Sequence, residues 1–331
     1  MNHRLIYVVL LALAALVPAA AQTPGSVVRL DPAFDAIVAP GTVVETLKEG
    51  FGAINGILWV REGNSGHLLV SDIPANVVHR WTPDGAMTVF LDRPDWTKAT
   101  EARPPNVRFG ANGITMDREG RIVYAAEADR AVVRLEKDGT RTILVDRHEG
   151  KRFNSPNDLV FRSDGSLYFT DPSGGNRFVG WDLKKELPYQ GVFLLKDGKL
   201  QLVVPDLDRP NGLVLSADEK YLYVNDSNKR VIMRYDVQRD GTVANGKLFA
   251  DMNAGKGAGN PDGMKFDVKG NLYSVGPGGI WVFSPEGRHL GMIVPPENAP
   301  GFAFGDPDGK AIYMAASSKL ARIRLQVAGA R

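Results

Sequence analysis

The feature that most constrains this chain is a phrase repeated six times. Each copy opens on Asn, Asp or Gly, runs through an apolar stretch to a turn, built on Asp-Gly or Asp-x-x-Gly in four copies, and continues into a second apolar stretch, three of which end at or next to Asp. The copies are NGILWVREGNSGHLLVSDI from Asn55, NGITMDREGRIVYAAE from Asn112, NDLVFRSDGSLYFTDP from Asn157, NGLVLSADEKYLYVND from Asn211, DGMKFDVKGNLYSVGP from Asp262 and GFAFGDPDGKAIYMAA from Gly301. Their spacing, roughly 40 to 57 residues, is that of one four-stranded propeller blade.

Within each copy side chains alternate, as in Leu167 and Phe169 against Tyr168 and Thr170, and β-branched or aromatic types dominate. Period two means strands. The turns supply residues that tolerate positive φ, so each copy is a hairpin. A third strand follows (VVHRWTPDG, AVVRLEKDG, GVFLLKDG, VIMRYDVQRDG, GIWVFSPEG) and then a fourth (MTVFLD, RTILVD, LQLVVPD, KLFAD, HLGMIV). The expected fold is all-β, a six-bladed β-propeller with four-stranded blades. The last copy stops after KLARIRLQV, so residues 42–50 (TVVETLKEG) are expected to pair there as the outer strand and close the ring. Short helices are expected near 31–37 and 96–101.

The N-terminus reads as a cleaved secretory signal: a positive charge at Arg4, an apolar run over 5–17, and Ala19-Ala20-Ala21 before Gln22. That run is shorter than the ~20 residues that cross a bilayer. The expectation is therefore a signal at 1–21, cleavage near Ala21/Gln22, one propeller domain over 22–331 and a periplasmic or secreted location, with no membrane association after cleavage. With 36 Gly and 21 Pro spread evenly, no linker divides the chain. Cysteine is absent, which removes thiol chemistry and disulfides. A net charge of +2, from 40 basic and 38 acidic residues, gives no field to collect nucleic acid. The expected partner is a small-molecule substrate, and the expected state a monomer or small homo-oligomer.

In a propeller the residues that begin each innermost strand meet at one mouth of the central channel. Here they are Asn55, Asn112, Asn157, Asn211, Asp262 and Gly301, five of them bearing a side-chain oxygen. Ca²⁺ and other hard cations take oxygen ligands and accept amide oxygens beside a carboxylate. Asn-Gly and Asp-Gly are also ordinary turn formers, and a repeated turn needs no function. Their recurrence at strand starts favours an axial metal.

At these residues the chain resembles the senescence-marker-protein/gluconolactonase family of six-bladed propellers, related to diisopropyl-fluorophosphatase and to bacterial drug-responsive lactonases. The resemblance covers nearly all of the chain after residue 21. Its most specific stretches are GKRFNSPNDLVFRSDGSLYFTDP (150–172), RPNGLVLSADEKYLYVND (209–226) and NPDGMKFDVKGNLYSVGPGGIWVFSPEG (260–287). It implies a catalytic Ca²⁺ held by Asn157, Asn211 and Asp262, and a sugar lactone or similar small ester as substrate. The family's fourth ligand, a Glu, is Asn55 here, which removes one formal charge and predicts weaker cation binding. Ala128 and Gly301 stand where many relatives carry His and Asn.

A cation on the axis can polarise a lactone carbonyl and lower the pKa of bound water. Asp262 and Asn157 are the catalytic candidates, with Asp262 also the candidate base. Asn112, Asp158, His148 and Asn154 are candidates for substrate contact, Asp158 also as an orienter of Asn157. Lys151 and Arg152 are candidate anion-attracting charges, and Trp96, Trp181 and Phe153 candidate pocket walls. No Gly-x-Ser-x-Gly or His-Glu-x-x-His occurs. A propeller that binds without turnover, or that runs another reaction, is the alternative that Asn55 keeps open.

Overall fold

The computed structural model describes residues 25–95, 110–173 and 185–330. The candidates Trp96 and Trp181, the helix expected over 96–101 and the signal at 1–21 lie outside the described residues.

The architecture is a β-propeller built from antiparallel four-stranded meanders. One sheet holds Ala111–Met116, Ile122–Ala126, Ala131–Leu135 and Arg141–Val145 in that order. The next holds Leu159–Phe161, Leu167–Asp171, Gly191–Lys196 and Lys199–Val204, and the third Pro210–Leu215, Tyr221–Asp226, Val231–Val237 and Val243–Asp251. A fourth meander, Met264–Phe266 to His289–Val294, gains a fifth, outer strand from Ser26–Arg29, which the repeat did not foreshadow.

The expected count of six separate blades needs correction. Among the described residues there are five sheets of four or more strands, because the first and last repeats share one six-stranded sheet. The cause is backbone continuity. Glu45–Glu62 and Ala311–Arg324 are single unbroken strands, and they pair from Glu45↔Arg322 through Ile54↔Ser317. The first half of Glu45–Glu62 therefore lies on the end of the last repeat while its second half pairs with Ser65–Asp72. The predicted partnership of 42–50 with the C-terminal strand is present from Glu45 on, but as part of a shared sheet.

The six innermost strands nevertheless touch in a cycle. Glu45–Glu62 meets Ala111–Met116, which meets Leu159–Phe161, then Pro210–Leu215, Met264–Phe266 and Gly301–Gly305, which returns to Glu45–Glu62. Second strands such as Ile122–Ala126, Leu167–Asp171 and Leu272–Gly276 are buried throughout, whereas the outer Met87–Asp92 is mostly exposed. The core accordingly lies between neighbouring sheets: Tyr168, Val192 and Leu194 of one pack on Leu213, Leu222 and Val224 of the next. Each such Leu or Val contributes about 1.5 to 3 kcal/mol when fully buried. The expected helix near residue 31 is the 3₁₀ turn Pro32–Ala36, capped by Asp31, whose carboxylate accepts from the Ala33 amide (2.8 Å).

Candidate active site

The Asp that closes a repeat holds the opening of that same repeat. Asp72 accepts from the Gly52 and Ala53 amides (2.8 and 3.2 Å), Asp171 from Asn154 and Ser155 (2.8 and 2.7 Å), and Asp226 from Asp208 and Arg209 (2.7 and 3.2 Å). Each carboxylate thus fixes the segment leading into an innermost strand. The second repeat ends on Glu127 instead, and Asp95 supplies the clamp, accepting from Gly110, Ala128 and Asp129 (3.1, 2.8 and 2.8 Å). Burial pushes Asp171 up to about 7 against the pull of the Asn154 and Ser155 amides and of Arg130, and pushes Asp95 to about 7 with help from Asp129.

Bonds between repeats then set the openings beside one another. The Gly113 amide donates to the Asn157 carbonyl (2.7 Å), the Gly263 amide to the Pro300 carbonyl (3.0 Å) and Thr170 Oγ1 to the Asn211 carbonyl (2.7 Å), while Asn225 Nδ2 donates to the Asp262 carbonyl. The innermost strands approach closely: a Cβ built on Gly56 would stand 1.8 Å from the Asn112 carbonyl oxygen, and one on Gly212 2.1 Å from that of Asp262.

This packing leaves two adjoining hollows at the axis. The larger, about 320 Å³, is lined by Asn55, Asn211 and Asp262 together with Arg209, Asn260, Asn298, Ser227 and Ser317 among others. The smaller, about 40 Å³, is lined by Asn55, Asn112, Asn157, Asp158, Asp262 and Lys265 among others. Asn55 and Asp262 line both. All four residues named as metal ligands therefore border these hollows.

The donor set suits a hard cation through amide oxygens and one carboxylate. No group of three or more His, Asp and Glu side chains clusters as a metal site among the described residues. The telling atom is Asn211 Oδ1, buried without a hydrogen-bond partner while its Nδ2 donates to Ser227 Oγ (3.0 Å). A buried carbonyl oxygen without a donor costs about 1 to 3 kcal/mol, which a cation or ligand group there would relieve.

The remaining candidates divide. Asn112 lines the smaller hollow and donates through Nδ2 to Glu127 Oε1 (2.6 Å), which fixes its amide. Asp158 lies across the same hollow and stitches two sheets, accepting from the Leu159 and Leu213 amides (2.9 and 3.2 Å); burial raises its pKa against the pull of Lys265. Asn154 is a clamp, its Nδ2 donating to Asp171 Oδ2 and to the Tyr189 carbonyl (both 3.0 Å). His148 lines neither hollow: its Nδ1 meets Tyr189 Oη (2.7 Å) and its ring edge faces Phe193. Phe153 is fully buried against Phe169 and Phe193, a packing residue. Arg152 pairs with Glu186. Arg209, Lys265, Asn260 and Asn298 escaped the sequence reading. Arg209 and Asn260 lie inside quoted motif stretches, beside the openings at Asn211 and Asp262, and that adjacency was the available signal.

A family model described as SMP-30/Gluconolactonase/LRE-like region matches residues 53–318. A gluconolactonase of Zymomonas mobilis is 37% identical over 321 residues, 93% of this chain and 88% of that protein. The lactonase drp35 of Staphylococcus saprophyticus is 26% identical over 269 residues, 76% of this chain and 72% of that protein. Among solved structures, a gluconolactonase from Xanthomonas campestris superposes with a TM-score of 0.77 at 30% identity, covering 92% of this chain and 97% of that one.

Proposed function

Since this chain belongs to the SMP-30/gluconolactonase/LRE-like family, we propose that its axial site opens a sugar lactone with the help of a bound Ca²⁺. The chain is a gluconolactonase-like lactonase, a carboxylic ester hydrolase acting on a small molecule. Calcium, the sugar class of the lactone and the roles of single residues are our reading. The observation that carries it is the buried, partnerless Asn211 Oδ1 bordering a hollow shared with Asn55 and Asp262. The six openings share one axis in this reading, with the joined sheet supplying two of them.

Asn55, Asn157, Asn211 and Asp262 would hold the cation, which when bound supplies a Lewis acid for the ester carbonyl and acidifies water. The chain's own groups do the rest. Asn112, held by Glu127, presents the other end of its amide to substrate. The Asp262 carboxylate takes a proton from the attacking water. The water oxygen bonds to the carbonyl carbon, the ring C–O bond breaks, and the ring oxygen takes the proton back from Asp262 to leave as a hydroxyl, giving a hydroxy acid with the carboxylate restored.

Removing divalent cations with a chelator is expected to lower the hydrolysis rate at least 100-fold, with recovery on adding Ca²⁺. Unchanged turnover in excess chelator ends the metal reading and leaves the lactonase standing. Because affinity follows the number of carboxylates, Asn55→Glu should tighten Ca²⁺ binding roughly 10-fold or more by calorimetry; no change would remove Asn55 from the ligand set. The apolar run at 5–17 supports an exported location.

A further inference from the structure

We propose that the preferred lactone carries an acidic group, a carboxylate or a phosphate, away from its reacting carbonyl, and that Arg209 receives it. The inference rests on the lactonase reading and deepens it. Among the described residues lining the larger hollow, Arg209 is the one cation and Asp262 the one anion; the rest are neutral. Arg209 Nε is buried and makes no hydrogen bond, and its guanidinium enters no ion pair or hydrogen bond with any described residue.

The acids next to it are committed elsewhere. Asp226 accepts from four backbone amides, those of Asp208, Arg209, Asn228 and Lys229, so it meets Arg209 through the main chain alone. Asp208 accepts from Asn228 Nδ2 (3.1 Å). A half-buried guanidinium has lost hydration, and its planar fork of donors matches two oxygens of a carboxylate or phosphate. The hydroxyls of a neutral sugar need no such group, since Asn260 and Asn298 line the same wall. Behind that wall Arg230 Nε donates to Asn260 Oδ1 (3.2 Å), adding positive potential on the same side.

The test compares three lactones on the wild-type chain and on Arg209→Gln: that of gluconate, the same lactone phosphorylated on its terminal carbon, and that of glucarate, with a terminal carboxylate. The wild type is expected to show a kcat/KM at least 10-fold higher for one acidic lactone than for the neutral one. Arg209→Gln should lose about 10- to 100-fold on the acidic lactone, mainly in KM, and change less than about threefold on the neutral one. Arg209→Lys should recover part of the loss. The better acidic lactone tells carboxylate from phosphate. A wild type that prefers the neutral lactone, or a variant that loses equally on both, overturns the proposal. Calorimetric binding of glucarate, gluconate and phosphogluconate is read alongside. If no lactone is turned over, the lactonase reading fails, and an Arg209-dependent preference for glucarate or phosphogluconate, which carry a second acidic group, over gluconate, which carries one, still decides this one.

Discussion

Asp262→Ala lowers kcat/KM for lactone hydrolysis by on the order of 10³-fold, about 4 kcal/mol of transition-state stabilisation, and leaves the chain folded. Asp262 is the one carboxylate bordering both axial hollows, so the substitution takes the only formal negative charge from the proposed ligand set and removes the proposed base. Its amide faces the Val275 carbonyl and its carbonyl accepts from Asn225, and alanine removes neither of these main-chain bonds. Steady-state kinetics beside a melting curve checks both halves. Activity within a few-fold of wild type would exclude Asp262 from the chemistry. Asp262→Asn refines the result, since it keeps size and an oxygen while removing charge; retained activity there would assign the residue a shape role.

The second large effect is on stability. Gly56→Ala should cost about 3 kcal/mol or more, because the added methyl carbon meets a main-chain carbonyl that has no freedom to move aside. At this chain length that corresponds to a fall in melting temperature of roughly 5 to 10 °C. Gly120→Ala is the informative contrast. There φ is 74° with nothing within 4 Å of the new atom, and the cost is backbone strain of about 1 kcal/mol. Equal losses in the two variants would mean that the innermost strands are less tightly juxtaposed than described.

Much of this was legible in the residues because repetition encodes it. Asn55, Asn112, Asn157, Asn211 and Asp262 recur at strand starts, and the fold gathers them; Asp72, Asp171 and Asp226 recur at the ends of second strands, and they fasten those starts. The merging of first and last repeats was not legible. Residues 50–53 skip the pairing, which stops at Glu49↔Lys319 and resumes at Ile54↔Ser317, yet the backbone stays extended through them and carries one strand from the last repeat into the first. Arg209 and Lys265 were missed for another reason: the pattern singles out what recurs, and each of these cations occurs once. His148 shows the converse error. It precedes a motif in sequence, yet its ring settles among Tyr189 and Phe193, because nearness along the chain does not aim a side chain.

Glu45 and Arg322 are 277 positions apart in the chain and joined by an ion pair within the shared sheet. Contacts of such separation form late, after the entropy of a very long loop has been overcome. Until they do, two strand edges stay open to other chains; afterwards neither end can fray without disturbing the other. The molecule is therefore expected to behave as a clasped bracelet, vulnerable during assembly and resistant to piecemeal loosening once fastened.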